Sequence, residues 1–75
     1  MPDEQPRWIT DALRAIGDRV RVRRHHLGMT QETLSYNTDL GRSTIQRMEA
    51  GEEMKMSHLL RVAHELRCHV TDLLH

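Results

Sequence analysis

Residues 31–51, QETLSYNTDLGRSTIQRMEAG, decide how this chain folds. Thr30, just ahead of them, is an N-cap residue, and Gln31, Glu32 and Thr33 read as a first helical turn. That short helix runs to about Asn37. Thr38-Asp39-Leu40-Gly41 then reads as a tight turn, because Asp tolerates left-handed backbone better than most residues. Gly41 caps a second short helix, Arg42 to Ala50, with Ile45 and Met48 on one face. Gly51 stops it.

Upstream, apolar residues recur at Trp8, Ile9, Leu13, Ile16, Val20 and Leu27. Steps of three and four place them on one face of an amphipathic helix reaching about His26, and Gly28 ends it. Arg24 interrupts the stripe. Downstream, Glu52 to Met56 reads as a loop. Ser57 caps a further helix carrying Leu59, Leu60, Val62, Ala63 and Leu66, and His69 to Leu74 forms a short last one. No strand alternation, repeat or low-complexity segment is present. The expected fold is all-α: a compact bundle of about five short helices. One domain spans residues 8–75 behind a flexible arm, residues 1–7, that holds both prolines.

Two short helices joined by a tight turn, behind a longer one, are how helix-turn-helix units that bind DNA are built. The second helix enters the major groove, about 12 Å wide, so it must be apolar behind and polar in front. Ile45 and Met48 supply the back. Arg42, Ser43, Gln46 and Arg47 supply the front, with no acid among them, and Glu49 stands at the far end.

This region resembles the phage-repressor and Cro-type (xenobiotic-response-element) helix-turn-helix family. The likeness rests on Gln31 to Ser35, Leu40 and Ser43 to Gly51, without gaps. It extends back through Arg24 to Thr30, and forward through Leu59 to Leu66 and on to Asp72-Leu73-Leu74. The run Met29-Thr30-Gln31-Glu32 with Tyr36 also resembles the controller proteins of restriction–modification systems.

The resemblance implies roles. Arg42, Ser43 and Arg47 fall where the family reads bases, and Thr44 and Gln46 flank them. Gln31 would meet the DNA backbone, and Thr30 and Lys55 fall where the family touches phosphate. Arg24 and Glu49 fall where it pairs an arginine with a glutamate across the fold. A pair would also explain a charge inside an apolar stripe. The family often dimerises through its C-terminus, where Val70, Leu73 and Leu74 offer more apolar surface than a short helix needs; these residues could instead only close the core. The expected partner is a double-stranded DNA operator read by a homodimer. Three positions depart from the pattern: Asp39 replaces the usual turn glycine, Ser35 the usual alanine, and Glu52-Glu53 the usual basic loop.

Composition bounds the alternatives. Eleven basic residues balance eleven acidic ones, yet residues 14–47 hold seven arginines against three acids. A basic middle can make a local positive surface that the total hides. Trp8 and Tyr36 are the only aromatics, which disfavours base stacking and hence single-strand or RNA binding. One cysteine, Cys68, makes no internal disulfide, and no apolar run suits a membrane span or secretory signal, so a cytoplasmic location is expected. His64 and Cys68 share a helix face, but two ligands do not make a zinc site. No catalytic arrangement or phosphate loop stands out, and neither an enzyme nor a cofactor is expected. A second reading stays open. The zero net charge and Glu52-Glu53 suit a helix-turn-helix module that mainly binds a protein, such as a toxin or a sigma-type factor.

Overall fold

The computed structural model describes residues 5–75 as five helices in the order α1 (Arg7–His26), α2 (Gln31–Thr38), α3 (Arg42–Glu49), α4 (Met56–Glu65) and α5 (Val70–Leu74). No strand occurs among the described residues. Residues 1–4 of the expected arm lie outside them, and Arg7 already opens α1.

The 20-residue α1 is the spine. Its face buries Val20 and Arg24, with Ile16 packed against the core, while Trp8 at its start is 71% exposed. The sequence stripe is therefore longer than the face the fold covers. Gly17 sets how closely α1 meets α3. A Cβ there would stand 2.4 Å from the Met48 carbonyl oxygen and 2.8 Å from that of Glu49. A mid-helix glycine costs about 1 kcal/mol against alanine, so this close approach is what the residue provides. Gly51 serves the same junction from the other side. Its φ is +85°, and a Cβ would lie 2.7 Å from Arg14 Cγ.

Past α1, the Met29 amide donates to the Arg24 carbonyl and the Gly28 amide to that of His25, closing the helix end. Thr30 Oγ1 then accepts the Thr33 amide at 3.0 Å, and α2 starts as the sequence requires. α2 ends at Thr38 with Asp39 left-handed, at φ 62°. α4 starts at Met56 with Lys55 as N-cap, two residues ahead of the expected Ser57 cap, and no side chain caps it. In α5 the capping box joins His69 to Asp72.

All five helices close on one core. Val20, Leu34, Ile45, Val62 and Leu66 are fully buried, and Met48, Leu59 and Leu73 nearly so. Leu73, at 2% exposure, belongs to the core of its own chain, where the short α5 turns it inward against α1 and α4. Leu74 and half-buried Val70 are left at the surface.

Candidate nucleic-acid interface

α3 lies over α1 with Ile45 and Met48 buried beneath it. That rotation turns Arg42, Ser43, Gln46 and Arg47 outward, all exposed, while Thr44 is half-buried on the flank. Gly41, the N-cap residue, contributes no side chain of its own beside exposed Arg42 at the helix opening.

The far end of α3 is locked. Arg24 Nε donates to Glu49 Oε2 at 2.7 Å and Arg24 Nη2 to Glu49 Oε1 at 3.0 Å. Arg24 Nη1 donates to the Met29 carbonyl at 2.8 Å, and Gln31 Nε2 to Glu49 Oε1 at 3.1 Å. One carboxylate thus ties α3 to α1 and to the first residue of α2, with no buried side-chain polar atom left unsatisfied among the described residues. A fork-to-carboxylate pair fixes orientation as well as distance. Gln31 is consequently held in place at the opening of α2, half-buried, rather than free at the surface.

The other expected backbone contacts sit around α3. Thr30 caps α2 through the Thr33 amide, and the N–H groups of the first turn that it does not take make this helix opening a favourable setting for phosphate. Lys55 is exposed and lines a groove with Thr44, Arg47 and His58. Glu53 lines the same groove and accepts a hydrogen bond from Gln5 Nε2 at 2.9 Å. The acid expected to oppose phosphate here is thus beside α3, next to the lysine expected to bind it. Tyr36 on α2 is 87% exposed beside the α2–α3 turn.

The turn is supported by hydrogen bonds that the sequence pattern did not foretell. Ser35 Oγ donates to the Leu40 carbonyl at 2.6 Å, and Arg61 Nη1 on α4 donates to the Thr38 carbonyl at 3.2 Å. Buried Thr38 Oγ1 donates back to the Leu34 carbonyl at 2.7 Å. A small hydroxyl residue before a turn signals the first of these; nothing local signals the arginine. Among the described residues, no three His, Cys, Asp or Glu side chains converge in a way that could hold a metal ion. No described helix is long and apolar enough to cross a membrane.

A model of the Cro/C1-type HTH DNA-binding domain matches residues 19–75. Among solved structures, the restriction-modification controller protein C.AhdI from Aeromonas hydrophila has a TM-score of 0.78 at 31% identity, over 81% of this chain and 94% of its own. The clp gene regulator ClgR from Corynebacterium glutamicum has a TM-score of 0.79 over 97% of this chain and 72% of its own; at 24% identity it speaks for the fold alone. No curated protein sequence matches significantly.

Proposed function

Because the chain belongs to the Cro/C1-type helix-turn-helix DNA-binding family, we propose that it is a sequence-specific regulator of transcription that reads the major groove with α3. The observation that carries this is the outer face of α3. It presents two arginines, a serine and a glutamine, all exposed and without an acid, on a helix whose back is fully buried. Arg42 reads a base edge from the helix opening, Ser43 and Gln46 add hydrogen bonds, and Arg47 reads a second base or grips phosphate. Thr44 flanks them. Thr30, Gln31 and Lys55 hold the backbone.

One such unit reads few base pairs, so the protein acts as a homodimer on an inverted repeat, with recognition helices about 34 Å apart. The surface for this is Val70 and Leu74, Leu73 being taken up by the core. The likeness to a controller protein that spans 94% of its chain supports a regulator of this size.

Exposed Glu52 and Glu53 beside α3 favour a second reading, a helix-turn-helix module whose main partner is a protein. Selection of bound duplexes from a random pool separates the two. Recovery of one inverted repeat supports the regulator. Recovery of unrelated sequences overturns it and leaves the interaction module.

A further inference from the structure

Away from α2 and α3, which contribute no residue to it, α1, the end of α4, the α4–α5 turn and α5 line an open cleft of about 680 Å³. Its size falls in the range of small-molecule sites. Its charge is one-sided. Arg19, Arg23 and Arg67 line it, with His26, His64 and His69, against a single acid, Asp72. Asp72 is already engaged, accepting the His69 amide at 3.0 Å. The ion pairs among the described residues are Arg21–Asp18 and Arg24–Glu49, so none of the three cavity arginines is matched by a carboxylate.

Two of these arginines are held in place. Arg23 Nε donates to the Leu66 carbonyl at 3.0 Å and its Nη2 to that of Arg67 at 3.2 Å, at the end of α4. Arg19 Nη1 donates to the Leu73 carbonyl at 3.2 Å, near the end of α5. Each guanidinium keeps N–H donors beyond those it uses. A fork already fixed by backbone carbonyls gives up less conformational freedom when an anion arrives. Val22, Cys68 and Leu73 add an apolar wall.

We infer that this cavity is a binding site for a small organic anion, with its carboxylate or phosphate oxygens on Arg19, Arg23 and Arg67 and a short apolar body against Val22 and Cys68.

The test is a titration of the full chain with phenyl phosphate, inorganic phosphate and citrate at constant ionic strength. It follows backbone amides and arginine Nε–H signals by NMR. Saturable shifts are expected for residues 19–26 and 66–73, with those of Arg42 to Arg47 unmoved. Phenyl phosphate should bind at least about fivefold more tightly than inorganic phosphate, since only it uses the apolar wall. Arg67→Gly suits the left-handed backbone at that position, with φ 58°, and keeps the chain folded. It should weaken phenyl phosphate at least about fivefold, as should Arg19→Gln, which removes a second guanidinium from the cleft. Unsaturable shifts spread over all arginines would overturn the site, as would equal affinity in both variants. So would protection of the cavity amides by a DNA duplex in place of the small anions, which would make this surface a phosphate contact.

Discussion

Arg24 on α1 and Glu49 on α3 form a two-pronged ion pair whose side chains are 8% and 4% exposed. Such a pair is worth little beyond a well-packed apolar substitute, yet breaking it by halves strands a charge. Glu49→Ala should therefore lower stability by about 3–5 kcal/mol, read from the denaturant midpoint. The double change Arg24→Met with Glu49→Leu should recover most of that loss. If the single variant hardly moves the midpoint, the pair does not lock α3 as described.

Gly17→Ala tests the α1–α3 junction. Alanine is the better helix former by about 1 kcal/mol, so helix propensity alone predicts a more stable protein. The added Cβ would instead meet backbone at 2.4 Å, and backbone cannot step aside as a flexible side chain can. Overpacking of this kind costs about 1–3 kcal/mol, so the net change should be a loss. A raised melting temperature would contradict the close approach.

Among the described residues, two non-glycine residues are left-handed, Asp39 and Arg67. Asp tolerates this backbone and Arg does not share that advantage. Arg67→Gly should raise stability by about 0.5–1 kcal/mol, and Asp39→Gly by less. Chemical denaturation of both variants beside the parent checks the order. A larger gain at Asp39 would place the strain at the α2–α3 turn instead.

Burial pushes the Cys68 thiol up from its ordinary pKa, with Asp72 adding to the rise and Arg23 opposing it. Only the thiolate reacts, and a raised pKa leaves less of it at any pH below the shifted value. Iodoacetamide should modify Cys68 more slowly than an unstructured cysteine peptide between pH 7 and about pH 9. Equal rates would show an unperturbed thiol.

What was legible in the sequence was local. Thr30, Gly28 and Asp39 announce the ends of their helices through their own backbone chemistry, and Ile45 and Met48 announce the buried face of α3 by spacing. Arg24 inside an apolar stripe is a local oddity that points to a distant partner. What stayed illegible depends on which surfaces meet. Leu73 and Leu74 are indistinguishable as letters, and only the docking of α5 on α1 sends one inward. Trp8 continues the stripe of α1 past the point where the fold covers it. Lys55 caps α4 without any capping side chain, so Ser57 was the better signal and the wrong residue. Gln31 and Arg61 act on Glu49 and Thr38 across gaps of 18 and 23 residues, which no local pattern records.

Base reading by α3, as proposed, rests first on Arg42. Its exposed side chain leaves the helix opening next to Gly41, and its planar fork matches the O6 and N7 acceptors of guanine. The direct measurement compares Arg42→Ala with the parent protein on the selected duplex and on a scrambled one, at matched salt. If Arg42 reads a base, the variant should lose about 1–3 kcal/mol on the selected site and relax preference at one base pair, with little change on the scrambled duplex. A variant that weakens both duplexes alike, keeping the parent's ratio and flattening the salt slope by about one, would make Arg42 a phosphate contact and not a base reader.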